Sequence, residues 1–327
     1  MTEERSDCVE SWKESVKSLK QHILRKRSQV ASLIEAKSNL QEGQLLMQVD
    51  YSESYKNAEQ NEIQSAYFGH SCFSIFTACC YYKAEEGELM KYPVTITSVS
   101  SDHSRIAALS CVNKIIKLME EKIKSIKKVI VWSDGMGAQF RSRFVFMLLS
   151  TIDHAISLEW HYNEAHHGKE PMDGVGGTIK NLVFRAVKSG KVSVRDPEEF
   201  VKAANDIVPS IRSIYMPIVD MLEEPLEVAN APAIPETLQV HKVVREITKE
   251  NIPLIKFFKL SRDDTPAYTQ YYRSEKDPQV CGHPDRDVDD NTCAHCLADY
   301  KIDNEEEEWL CCPLCKKWFH ESCFHKL

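Results

Sequence analysis

The run KVIVWS at 128–133 is almost entirely apolar and leads into Asp134-Gly135. Six residues are too few for a buried helix, and apolar side chains on both parities require burial on both faces. The run therefore predicts a central strand of a sheet covered on two sides, with Asp134 at its exit. A chain built around it must supply neighbouring strands and helices for both faces.

The flanking sequence supplies both. Strand-like runs fall at 45–51 (LLMQVDY), 72–83 (CFSIFTACCYYK) and 92–100 (YPVTITSVS), with AEEGEL as a turn between the last two. Rich in aromatic and β-branched residues, they read as an antiparallel meander. A helix is expected over 104–124, where Ile106, Leu109, Val112, Ile115, Ile116 and Met119 share a face. After 128–133 come a helix at 140–152, a strand at 156–162 (ISLEWHY) and a helix at 173–188. Three antiparallel strands followed by parallel strands with crossover helices describe an α/β fold, an RNase H-like mixed sheet flanked by helices.

Residues 1–44 form a helical lead-in. Trp12, Val16, Leu19, Ile23, Val30 and Leu33 recur near helical spacing among Lys, Arg, Gln and Ser. The simpler reading is a helix packed on the main domain; the other is a partner-binding helix. The main domain spans 45–275. Its last part is helical at 197–205, then extended and broken by Pro225, Pro232, Pro235 and Pro253, with one further strand at 252–260. An acidic linker at 276–292 precedes a small C-terminal zinc-binding domain at 293–327.

Three carboxylates stand out: Asp50 in QVDYSES, Asp134 in VIVWSDG and Asp173 in HHGKEPMDG. In the expected topology the first and fourth strands are neighbours, so Asp50 and Asp134 share one sheet end, and the helix after the fifth strand offers Asp173. Oxygen ligands so gathered can hold two Mg²⁺ or Mn²⁺ ions, which activate a nucleophile and stabilise the leaving oxygen of a phosphodiester. Glu164 and Glu170 compete with Asp173 for the third place, and Glu53 and Glu62 lie near the first. An Asp before Gly is also an ordinary turn residue. His161, His166 and His167 are metal or phosphate ligands on one reading and loop histidines on the other.

Composition narrows the setting. The chain has 327 residues, 43% of them hydrophobic, enough for one large domain and a small one. It has no apolar run of about 18 residues, so no membrane span is expected. The charged start MTEERSDCVESWKESVK lacks a secretory signal, so an intracellular, reducing compartment is expected, and the cysteines do not form a disulfide framework. Cys72, Cys79, Cys80 and Cys111 sit in apolar stretches as small core residues. Between Asp285 and Glu308 ten acids face only Arg286 and Lys301, a charge equal to the −8 of the whole chain. The rest is neutral, so DNA binding would need a local patch rather than bulk charge.

The segments MQVDYSESYKNAEQNEIQSAYFGHS, VIVWSDGMGAQFRSRF and LEWHYNEAHHGKEPMDGVGGTIKNLVFRA resemble a transposase-derived family with an RNase H-like, three-acid core. The resemblance covers roughly residues 10–275 and is densest at HGKEPMDGVGGTIK. It implies metal-dependent DNA strand cleavage and transfer in the nucleus, with Asp50, Asp134 and Asp173 as the metal-binding acids. His167-Gly168-Lys169 and 174–180 would shape the site around them. Two features depart from the family: Glu170 replaces a smaller residue, and no DNA-binding domain is recognisable before residue 45.

Seven of the twelve cysteines lie between Cys281 and Cys323. The pairs Cys293/Cys296, Cys312/Cys315 and His320/Cys323 each leave two residues between ligands, the spacing of a tight zinc-chelating turn. The ending WFHESC resembles a PHD-type finger of the cross-braced RING/FYVE/PHD group. That resemblance implies one site from Cys293, Cys296, His320 and Cys323, and a second begun by Cys312 and Cys315. The last pair of the second site would follow residue 323, which makes the finger a truncated one unless Cys281, His283, His325 or Cys311 substitutes. Such fingers read histone tails or other proteins. The acidic stretch suits a basic peptide, and Tyr300, Trp309 and Trp318 offer either an aromatic surface for methyl-lysine or core packing.

Overall fold

The computed structural model describes residues 2–57, 72–98, 103–137, 139–151, 156–164, 171–248, 252–272, 292–293, 309–311 and 317–320. The chain divides into two compact units, Met1–Tyr272 and Arg273–Leu327.

The first unit is mixed α/β. Its sheet has nine strands: β1 (Gln44–Lys56), β2 (Cys72–Lys83), β3 (Leu89–Ser98), β4 (Lys128–Ser133), β5 (Ser157–Tyr162), β6 (Arg212–Met216), β7 (Lys242–Ile247), β8 (Pro253–Phe258) and β9 (Tyr268–Tyr271). Their order across the sheet is β6-β3-β2-β1-β4-β5-β7-β8-β9. The meander β1-β2-β3 is antiparallel, and β4 and β5 follow β1 in parallel. The apolar run 128–133 is the central strand expected of it, with Val129 and Trp132 wholly buried.

Among the described residues five α-helices accompany the sheet: α1 (Thr2–Ser38), α2 (Arg105–Met119), α3 (Arg143–Ser150), α4 (Pro171–Lys188) and α5 (Pro197–Ile207). Leu45, Met47 and Val49 of β1 face the core formed with α2 and α3, while Leu46, Ile130 and Trp132 face the core formed with α4 and α5. The two-residue period of a strand splits β1 between these layers. Local chemistry sets the helix starts. The Ser104 hydroxyl accepts the Ala107 N–H at 3.3 Å, and the Asp196 carboxylate before Pro197 accepts the Glu199 N–H at 2.8 Å.

Several boundaries differ from those expected. Helix α2 stops at Met119 rather than Lys124, and α3 starts at Arg143, after its Ser142 cap. Strands β6, β7 and β9 lie where the sequence suggested only extended chain. They add to the sheet edges, β6 beside β3 and β7-β8-β9 beyond β5. Cys79, Cys80 and Cys111 are buried as expected, but Cys72 is exposed, because it opens β2 opposite Lys56 at the end of the β1–β2 pairing.

The C-terminal half of α1 belongs to the first unit. Gln29 is buried; its amide donates to the Tyr162 carbonyl at 2.8 Å and to the Ser261 hydroxyl at 2.7 Å, and its oxygen accepts the Ser261 N–H at 3.0 Å. In the second unit a hairpin pairs β10 (Trp309–Cys311) with β11 (Trp318–His320), setting Trp309 opposite His320 and Cys311 opposite Trp318. Among the described residues no helix is long and apolar enough to cross a membrane.

Candidate functional site

Asp50 and Asp134 lie at the same end of two neighbouring strands. Parallel pairing sets Gln48 opposite Trp132. That is the last pair of the register; Asp50, still in β1, and Asp134, just past the end of β4, each follow two residues later. The step of two also keeps Asp50 on the face of Leu46, the one covered by α4.

Helix α4 is seated directly on this end of β1. A Cβ on Gly176 would lie 2.5 Å from Ser52 Oγ, 2.8 Å from Ser52 Cβ and 3.2 Å from Thr77 Cγ2. Only a glycine lets the helix approach so closely. Asp173 stands one turn earlier, exposed in the first turn of the helix, where the helix dipole favours a carboxylate. Just beyond Ser52 the β1–β2 pairing slips between Ser52 and Tyr55, a bulge of the kind that re-aims side chains at strand ends.

Gly176→Ala tests this seating. Helix propensity alone favours Ala by about 1 kcal/mol, whereas overpacking against Ser52 and Thr77 costs about 1–3 kcal/mol. Net destabilisation in urea unfolding is expected, with partial recovery when Ser52→Gly is added. A stabilised Gly176→Ala protein would mean that α4 has room to move.

The carboxylates themselves are engaged by backbone. Asp50 Oδ1 accepts the Tyr51 N–H at 2.8 Å, and Asp134 Oδ1 accepts the Met136 N–H at 3.2 Å. Burial pushes the Asp134 carboxyl above the usual carboxylate range, partly offset by the Met136 N–H and the Arg141 guanidinium. Arg141, which sequence reasoning passed over, donates from Nη1 to the Val240 carbonyl at 3.1 Å. A Cβ on Gly135 would come within 2.6 Å of its Nη2. Its one signal in the sequence is a basic residue in the segment that follows Asp134. Among the described residues no group of three or more His, Cys, Asp or Glu side chains is clustered closely enough to hold a metal ion.

The competing acids separate clearly. Glu164 is nearly buried, with His22 at 2.9 Å, Arg25 at 3.1 Å and His241 at 2.7 Å around its carboxylate. Burial pushes its pKa up, but the hydrogen bonds from His241 and His22 and the charge of Arg25 outweigh this and hold it below the usual range. It ties α1 to the sheet and is committed there. The Glu53 side chain is almost wholly exposed and 4.0 Å from Lys180 Nζ. Glu62, His166, His167 and Glu170 lie outside the described residues, as do Cys296, Cys312, Cys315 and Cys323. Cys293 is a fully buried thiol, and His320 closes β11.

His161 is no loop histidine. It is buried in β5, stacked on Trp132 with centroids 4.4 Å apart, and its Nδ1 is 2.8 Å from the Ser261 hydroxyl. Burial holds its imidazole below the usual value of 6.5, hence neutral near pH 7. Beside it, burial pushes Glu159 up, yet hydrogen bonds from His161 and Lys128, the latter 2.6 Å away, hold it at about 2.

Both shifts act in one direction. Below pH 6.5 the unfolded chain takes up the His161 proton that the fold resists. Below pH 4.5 it takes up the Glu159 proton, and the stability held by that carboxylate is lost as pH falls through about 2. Stability should therefore decline from about pH 6.5 downward, and His161→Gln should flatten the upper part of that slope. Thermal melts across pH 7 to 4 measure it. An unchanged slope in the variant would assign the acid sensitivity elsewhere.

No curated protein matches the chain. The family described as Domain of unknown function (DUF8701) matches residues 29–257, from the buried Gln29 of α1 into β8, and includes Asp50, Asp134 and Asp173. That span covers most of the first unit, and on it the chain belongs to the DUF8701 family.

Proposed function

We propose that the first unit is an RNase H-like, transposase-derived domain that cleaves or transfers DNA strands with Mg²⁺ or Mn²⁺ held by Asp50, Asp134 and Asp173. The observation carrying this reading is that β1 and β4 are neighbouring parallel strands, with Asp50 and Asp134 each two residues past their last pair, and that the helix bearing Asp173 packs on β1. The order β3-β2-β1-β4-β5 supports the fold assignment, with the added strands as extensions at the edges. The candidate donors are all carboxylate oxygens, which suit hard divalent cations, although the described structure does not gather the three into a metal-holding cluster; Asp134 is half-buried, and that burial raises its pKa.

When bound, such ions supply an activated water or hydroxyl and stabilise the leaving oxygen of the phosphodiester. The chain's own residues hold and orient. Neighbouring strands deliver Asp50 and Asp134 to one sheet end, Gly176 lets α4 approach, and Arg141 would offer a cation near Asp134 to a phosphate oxygen.

The second unit fits a PHD-type zinc module that binds protein or chromatin in the nucleus. Cys293 is a buried thiol, and in the sequence Cys312 and Cys315, two residues apart, lie between β10 and β11, a spacing that suits zinc chelation.

A second reading keeps both modules without catalysis, as a domesticated chromatin or protein-interaction protein. The engagement of both Asp carboxylates by backbone N–H groups favours it. Incubating the purified protein with supercoiled and branched DNA in Mg²⁺ or Mn²⁺ separates the two. Nicking or strand transfer supports the enzyme. The absence of any cleavage, together with metal affinity unchanged in Asp134→Asn, leaves the non-catalytic reading, which predicts partner binding that survives loss of all three acids.

A further inference from the structure

The N-terminal half of α1 leaves the body of the protein. From Val9 to Ile34 one stripe of the helix carries Val9, Trp12, Val16, Leu19, Ile23, Val30 and Ile34, all exposed, with Trp12 at 72% and Leu19 at 57%. The stripe lies roughly 100° around the helix from the face of Gln29, Leu33 and Ala36 that meets the sheet, counting 3.6 residues per turn. It is therefore not part of the core contact. The match to the DUF8701 family begins only at residue 29.

Spacing and charge indicate what covers it. Val9, Trp12, Val16, Leu19 and Ile23 alternate steps of three and four, the seam of a two-helix coiled coil rather than the broad stripe of a helix lying on a sheet. The Val9–Lys26 part of the seam runs about 26 Å at 1.5 Å per residue. Covering it buries several hundred Å² per copy, the scale of the ~800 Å² per partner of a specific interface.

Charge along the helix is polarised. Its first fourteen residues hold Glu3, Glu4, Asp7, Glu10 and Glu14 against Arg5 and Lys13, whereas residues 15–34 hold Lys17, Lys20, Arg25, Lys26 and Arg27 with no acid at all. Two copies side by side in parallel would set like ends together and Lys26 against Lys26. In the antiparallel sense each acidic end covers a basic one, and Lys26 meets the Val9–Glu10 end of the other copy.

We infer that α1 is a self-association element: two copies of this chain pair antiparallel along the Val9–Lys26 part of the seam. The inference is independent of the proposed chemistry. It assigns the helix both roles that the sequence left open, packing through its C-terminal half and partner binding through the seam.

Analytical ultracentrifugation of the full chain tests it. The expected species is a concentration-dependent dimer. Trp12→Glu with Leu19→Glu should weaken it at least about tenfold, while far-UV circular dichroism and the melting of the core stay unchanged; Trp12→Ala serves as a milder second variant. For orientation, a Cys8→Ser, Arg27→Cys chain mixed with the unaltered chain and a short thiol cross-linker should join position 27 of one copy to Cys8 of the other. A monomer at all concentrations overturns the inference, whether the seam is then found against anionic vesicles or shielded by residues 273–327 in hydrogen exchange. A dimer insensitive to the seam variants, or cross-links only between two Cys8 residues, overturns it equally.

Discussion

Asp134→Asn is expected to abolish metal-dependent DNA cleavage and, at the same time, to raise the thermal stability of the metal-free protein. The second effect follows from the carboxyl's surroundings. Burial raises the Asp134 pKa, so the fold binds this proton more tightly than the unfolded chain does. The ionised group therefore costs stability at neutral pH, a cost relieved as pH falls. Asparagine keeps an oxygen for the Met136 N–H, which Asp134 Oδ1 accepts at 3.2 Å, and removes the charge. The first effect follows from the loss of a ligand oxygen. Removing even an outer-shell partner of a metal lowers activity or affinity by about 10–100-fold, so at least about a hundredfold loss is expected here. Added Mn²⁺ at a hundred times its dissociation constant should stabilise the unaltered protein by about 2.7 kcal/mol and the variant far less. A variant that melts lower without metal, or gains as much from Mn²⁺, would show that Asp134 is a turn residue and no more.

How much of this was legible in the sequence depended on where each element draws its stability. The strands at 72–83 and 128–133 match their expected bounds because burial on both faces leaves a mark at every position. RSIYM of β6 and KVVREI of β7 leave less. Each is half exposed and held by a neighbour, β3 in one case and β5 and β8 in the other. IPLIKFFKL was apolar enough to be seen alone.

That β1 and β4 are neighbours, and so carry Asp50 and Asp134 to one end of the sheet, was readable because strand order is. The state of the side chains was not. That Glu164 is claimed by His22, Arg25 and His241, and that His161 stacks on Trp132, both depend on residues distant in the chain. The role of Gly176 was visible only as one glycine in GVGG. Its meaning comes from Ser52 beneath it.

Stripping zinc should have a larger energetic effect than any substitution in the first unit, and it should be confined to the second. Residues 273–327 are a short unit, and the strands described in it are two of three residues each. A two-stranded hairpin of this size is not stable alone in water. Structural zinc contributes on the order of 10–16 kcal/mol to such modules, so folding and metal binding become one event. The intact protein should therefore carry zinc measurable by mass spectrometry. A strong chelator should remove hydrogen-exchange protection from the Trp309–His320 pairing and open the segment after Tyr272 to proteolysis, with the melting of the first unit unchanged. Cys293→Ser and His320→Ala should each reproduce the chelator's effect, because the sequence spacing makes Cys293 and His320 proposed ligands of one tetrahedral site. Zinc near zero in the intact protein, or a hairpin still protected after chelation, would leave the cysteine pairs without a metal and the second unit without its proposed source of stability.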